Sequence, residues 1–106
     1  MSPIARAYRS RTLEVPRTAR YAQVGPEVAE AEELWVLIHG YGQLAHEFLA
    51  TAAALDNGRR ALVAPEALSR YYDVSERTAH PQARVGASWM TREHREEEIR
   101  DYVRYL

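Results

Sequence analysis

Leu34-Trp35-Val36-Leu37-Ile38 is an unbroken apolar, β-prone run. Such a run reads as a strand buried on both faces, typically within a parallel sheet. His39-Gly40-Tyr41-Gly42 follows it, a turn with two glycines. From Leu44 to Leu55 the apolar residues Leu44, Phe48, Ala52 and Leu55 recur at helical spacing. Asn57-Gly58 supplies the left-handed stop that a helix wants. Ala61–Ala64 is then a second short apolar strand, closed by Pro65. Residues 34–64 thus predict one βαβ unit of 31 residues, with parallel strands and a right-handed crossover. The fold class read from this is α/β.

The flanks are built differently. Thr12–Val15 and Thr18–Val24 enclose Pro16-Arg17, a short connection suited to an antiparallel hairpin. Neither face of the second run is strongly apolar, which suits an outer strand pair. Gly25-Pro26 breaks that run, and the acidic stretch at 26–33 reads as a surface loop. Residues 65–90 are mixed and read as loops carrying Tyr71, Tyr72, Trp89 and Met90. Thr91 is the expected N-cap of a last helix over 91–106, with Glu93 in its first turn. Ile99, Val103 and Leu106 place an apolar stripe on it at i, i+4, i+7. A helix with one apolar face, in an α/β pattern, leads into another strand, so the chain reads as cut short of one. At 106 residues it holds one domain and not two.

Charge and composition narrow the function. Acidic and basic residues number 15 and 14, for a net charge of −1, which argues against nucleic acid as a partner. Residues 1–25 carry +4 and residues 26–33 carry −4, a basic segment beside its own acidic loop. No cysteine is present, which excludes disulfides, thiolate metal sites and a cysteine nucleophile. The apolar run of five residues is far short of a membrane span. Arg6, Arg9 and Arg11 have no apolar stretch behind them, so no secretory signal is read, and a cytoplasmic location is expected.

The chemistry concentrates at His39-Gly40-Tyr41-Gly42. A glycine-rich turn after a strand lets main-chain N–H groups point at an anion or a developing oxyanion. Gly40-x-Gly42-x-x-Ala45 satisfies a dinucleotide-binding fingerprint, with Glu66 placed 26 residues on from Gly40 to hold a ribose. His39 in the tight turn, Pro65 before Glu66 and the upstream hairpin weigh against that reading. The other is the oxyanion-hole turn of an α/β-hydrolase, in which the loop after the third strand gives one N–H donor. A non-catalytic interaction domain is a third possibility.

The segments LWVLIHGYGQLAHEFLATAAAL, ALVAPEALSRYYDV and RVGASWMTREHREEEIRDYVRYL together resemble a serine esterase. The similarity is to the N-terminal half of the phospholipase/carboxylesterase-like group of α/β-hydrolases, and it spans residues 18–106. The hairpin followed by a parallel βαβ unit fits that group's strand order. The resemblance implies hydrolysis of a small carboxylic ester through an acyl-enzyme, without metal or cofactor. It makes His39 and Gly40 the group's HG pair and Tyr41 the residue whose main-chain N–H donates to the oxyanion. Gly42 then keeps the loop open. The group often has leucine where this chain has Tyr41, an exchange that a main-chain donor tolerates. Glu66, Tyr71, Tyr72, Trp89 and Met90 fall where a substrate pocket is expected, although packing explains them equally well.

The triad itself is missing from the sequence. No G-x-S-x-G occurs, and in that superfamily the serine, acid and histidine follow in later elements. Gly86-Ala87-Ser88-Trp89-Met90 lacks the closing glycine, and Ser10, Ser69 and Ser75 have no supporting context. The chain by itself is therefore expected to be inactive. His46 reads as a surface residue, His80-Pro81 as a loop, and His94 with Glu98 as a solvated pair rather than metal ligands. In the group's strand order Leu34–Ile38 would be left as an open edge, so self-association through it is expected.

Overall fold

A computed structural model of the chain describes residues 7–73 and 83–106. Arg6, Ser75 and His80-Pro81 lie outside the described residues. The described elements are β1 (Tyr21–Val24), β2 (Glu33–Val36), α1 (Ala45–Thr51), β3 (Arg60–Pro65), β4 (Ser69–Asp73), β5 (Arg84–Ser88) and α2 (Arg95–Tyr105). Short 3-10 turns occupy Val28–Glu30 and Ala53–Leu55. The architecture is mixed α/β, with two small sheets and two α-helices among the described residues.

The βαβ unit is present. β2 runs parallel to β3, with Leu34 opposite Ala61 and Trp35 opposite Leu62, and α1 lies between them in the chain. The burial is distributed differently from the expectation. β3 is the central strand, in the order β1-β3-β2, and Ala61, Leu62 and Ala64 are fully buried. β2 is an edge strand, with Leu34, Val36 and Ile38 at 52%, 54% and 47% exposure. The reason is one-sided cover: α1 packs Ala45 and Leu49 on Leu62 and Ala64, and Trp35, Leu37 and Phe48 close around them. On the opposite face, among the described residues, Val36 and Val63 border only an open depression shared with Tyr105 and Leu106.

The hairpin of residues 12–24 does not form. Residues 12–15 carry no strand, and β1 pairs antiparallel with β3 instead, placing Val24 against Leu62 and Ala22 against Ala64. Pro16 has no N–H to donate, and Leu13 and Val15, the apolar residues of Thr12–Val15, stay exposed without a partner surface. The edge of β3 offers buried apolar partners, so it takes the strand.

Residues 65–90 also depart from the loop reading. β4 and β5 form a separate antiparallel ladder, with Ser69 opposite Ser88 and Tyr71 opposite Gly86. Tyr72 points outward between half-buried Tyr71 and Asp73, and Gly86 interrupts the apolar pattern of β5. The α-helical part of the first helix stops at Thr51, and its buried residues are Ala45 and Leu49. Asn57 then turns the chain by accepting the N–H groups of Arg59 and Arg60.

The last helix begins at Arg95, with His94 as N-cap in the left-handed region at φ 54°. Thr91 builds its own turn upstream, its hydroxyl accepting the N–H of Glu93 at 3.2 Å. The expected stripe is also replaced: Val103 and Leu106 are exposed, and Tyr102 is buried with Tyr105 beside it. Tyrosine wins these positions because the cleft between the sheets presents main-chain polar groups as well as apolar surface. No described helix is long and apolar enough to cross a membrane.

Candidate functional site

The chain leaves β2 at the carboxyl end of the parallel pair and turns at residues 39–42. Ligands of open α/β sheets sit beyond that end. His39 anchors the turn. It is 2% exposed, and its Nε2 accepts the N–H of Ala67 at 3.0 Å. The ring proton therefore resides on Nδ1, which donates to the carbonyl of Gly40 at 2.7 Å. Its ring stacks on Trp89, with centroids 4.9 Å apart and planes at 30°. Trp89 in turn donates its indole N–H to the carbonyl of His39 at 2.7 Å. Both ring nitrogens are committed, so His39 orients the turn and has no nitrogen left for a substrate proton.

The turn's donors are unevenly used. Gly40 donates its N–H to Oε1 of Gln43 at 2.6 Å. Gly42 donates to the carbonyl of Ala87 at 2.8 Å, and Gln43 to the carbonyl of Gly40 at 3.3 Å. Among the described residues, the N–H of Tyr41 meets no acceptor. The Tyr41 ring is exposed and lies over Tyr71, with centroids 5.5 Å apart. A hydrogen bond to Tyr41, together with burial, pushes the Tyr71 phenol up to about 12.

Glycine is required where the turn meets β5. Gly42 has φ +81°, and a Cβ on Gly86 would lie 2.9 Å from the carbonyl oxygen of Gly42 and 3.1 Å from its Cα. Those are main-chain atoms and cannot swing aside. Gly86→Ala is expected to lever the turn off the second sheet and to cost about 1–3 kcal/mol, the usual range for overpacking. Denaturant unfolding of the variant reads this directly. A loss below about 0.5 kcal/mol would mean that the contact is not tight, since that is the scatter of uneventful surface changes.

Glu66 lies beneath the turn at 2% exposure. Its Oε1 accepts the N–H of Ala45 at 3.1 Å, in the first turn of α1. Its Oε2 accepts from Arg20 at 2.9 Å and from Arg70 at 2.8 Å. Burial alone would push this carboxyl up, but the Arg70, Ala45 and Arg20 hydrogen bonds outweigh it and hold the group at about 2. Glu66 is thus ionised at neutral pH, a clamp joining Arg20 just before β1, α1 and β4, and not a proton donor. It also fills the place at the amino end of α1 where a bound pyrophosphate would have to sit.

The remaining residues singled out in the sequence are dispersed. Tyr71 and Trp89 flank the turn. Tyr72 points to solvent from the other face of β4, and Met90 lies half-buried just past β5. The Ser88 hydroxyl is buried in β5 and donates to the carbonyl of Met90 at 2.9 Å. His46 is exposed, and His94 sits 3.7 Å from Glu97, while Glu98 accepts the N–H of Thr91. The described residues form surface depressions elsewhere. One of about 580 Å³ separates residues 13–19 from α2, and one of about 420 Å³ lies between Tyr21, Val36, Val63 and Leu106. Glu66, Tyr71, Tyr72, Trp89 and Met90 line neither.

Sequence reasoning passed over four residues on which this arrangement depends. Gln43 caps Gly40 from three positions on, and Arg70 stands i+4 from Glu66, so both carry a local spacing signal. Arg20 and Tyr102 reach their partners across 46 and 34 residues, and nothing local marks them. Tyr102 receives the N–H of Leu68 at 3.1 Å and donates to the carbonyl of Ser88 at 3.3 Å. Compared with protein-family models, with characterised proteins and with solved structures, the chain matches none.

Proposed function

We propose that residues 39–42 form an oxyanion-binding turn, the part of a carboxylic-ester hydrolase that an α/β-hydrolase N-terminal half contributes. The observation carrying this reading is the N–H of exposed Tyr41, which meets no acceptor among the described residues while those of Gly40, Gly42 and Gln43 are all engaged. When a nucleophile attacks an ester carbonyl, negative charge grows on the carbonyl oxygen. A fixed main-chain N–H aimed at that oxygen stabilises the transition state without reorganising, and one such donor is worth about 3 kcal/mol. His39 and Gln43 hold the turn in shape, and the Tyr41–Tyr71 pair screens one side of it. By the resemblance, a Ser-Asp-His triad supplies the attack. The committed hydroxyl of Ser88 and the committed nitrogens of His39 do not replace it.

The test is an amide-resolved NMR titration of the 106-residue chain with acetate and methylphosphonate, two simple oxyanion mimics. The amide of Tyr41 should shift most, those of Gly40 and Gly42 little, and p-nitrophenyl acetate should not be hydrolysed above buffer. A silent Tyr41 amide at saturating anion would sink the assignment. Hydrolysis that disappears in Ser88→Ala would overturn the division of roles.

A further inference from the structure

We infer that the open edge of β2 pairs with the same edge of a second copy of this chain, about a two-fold axis through Val36. The inference does not depend on the oxyanion reading. Along β2 the N–H groups of Glu33 and Leu37 point inward, donating to the carbonyls of Arg59 and Val63. Alternation along an extended chain therefore turns the N–H and C=O groups of Leu34, Val36 and Ile38 to the outside. Three donors and three acceptors stand in a row on an edge whose side chains are half exposed.

One antiparallel register satisfies all of them. With Val36 opposite its own copy, Leu34 lies opposite Ile38 of the second chain, and Ile38 opposite its Leu34. Each of these three is a hydrogen-bonded pair, in which both residues exchange N–H and C=O. The apolar side chains then abut, branched against branched, with no charge anywhere in the paired stretch. Such an interface is isologous, as a two-fold contact must be.

The chain lacks the usual defences against this pairing at the same place. From Leu34 to Ile38 there is no proline, no lysine or arginine, and no inward charge. The opposite edge of the sheet is guarded: β1 is preceded by Arg17 and Arg20 and is closed by Gly25-Pro26. The acidic residues at the start of β2 do not repel a copy, because Glu32 and Glu33 are ion-paired with Arg59 and Arg60 at 3.6 and 3.4 Å. They also lie outside the paired stretch.

Sedimentation equilibrium on the whole chain and on two double variants tests the register. The unsubstituted chain should be a reversible dimer. Leu34→Lys with Ile38→Lys sets like charges opposite each other on both sides of the axis and should give a monomer. Leu34→Lys with Ile38→Glu sets opposite charges there and should retain association, with the two dissociation constants about tenfold or more apart. In parallel, amide exchange at Leu34, Val36 and Ile38 in the unsubstituted chain should slow as concentration rises, a readout needing no variant. A monomer at every concentration, or a dimer indifferent to both variants, overturns the proposal. Equal weakening by both variants, or exchange independent of concentration, overturns it as well.

Discussion

Replacing Glu66 by alanine is expected to remove about 3–5 kcal/mol of stability, the cost of breaking a buried ion pair from one side. Two guanidinium groups and the Ala45 N–H would lose their acceptor together. For a domain of this size the melting temperature should fall by more than about 10 °C. A melt within about 2 °C of the parent would show that water replaces the carboxylate without cost, against the desolvation rule for buried polar groups. The same clamp sets an acid limit. Its folded-state value of about 2 lies below the ordinary glutamate value of 4.5, so its contribution is fully present above that ordinary value. It is lost as pH falls toward 2. The difference is worth about 3 kcal/mol. Urea titrations at descending pH should show that loss in the parent and not in Glu66→Gln. Parallel curves for the two proteins would assign acid sensitivity to other carboxylates.

Trp89→Ala is the second large effect, about 3 kcal/mol by the cost of truncating packed aromatic residues. The indole is shared by the turn and the last helix: it stacks on His39, meets Tyr102 edge-on at 4.9 Å and lies 6.4 Å from Tyr105. Trp89→Phe retains a ring but loses the N–H bond to the His39 carbonyl, and should cost about 1 kcal/mol. Thermal unfolding of the pair separates packing from hydrogen bonding. Equal losses in the two variants would mean that the indole N–H, rather than the ring, carries the whole contribution. In Trp89→Ala the Tyr41 amide should also broaden, because the carbonyl of His39 is released.

The parts of the fold legible in the sequence are those that rest on local periodicity. Leu34–Ile38 and Ala61–Ala64 announce parallel strands because they are continuous, apolar and separated by one helix-length segment. The degree of their burial is a tertiary outcome, decided by which face α1 covers, and so β2 is read as buried on both faces when Leu34 and Val36 stand half exposed. β4 and β5 escape notice because Arg70, Gly86 and Arg84 dilute their alternation. Thr12–Val15 errs in the other direction, since β-prone residues next to a turn form a strand only if an apolar partner surface is waiting. The turn at 39–42 is visible from its glycines. Its rigidity is not, because it comes from Ala67, Ala87 and Trp89, which reach it from 28 to 50 residues away.

Tyr105 shares its hydroxyl proton between the carbonyls of Glu66 and Arg20, at 3.0 and 3.3 Å. The second of these contacts closes a loop of 85 residues. Loop-closure entropy grows only logarithmically, so such a span adds little thermodynamic burden over a shorter one. Its effect is on time. The strands of the βαβ unit pair residues 27 apart, such as Leu34 with Ala61, whereas α2 reaches back across 85 residues to Arg20. Distant contacts of this kind slow the crossing to the native state. In this molecule the hydrogen bonds of Tyr105 are contacts of that kind, spanning 39 and 85 residues.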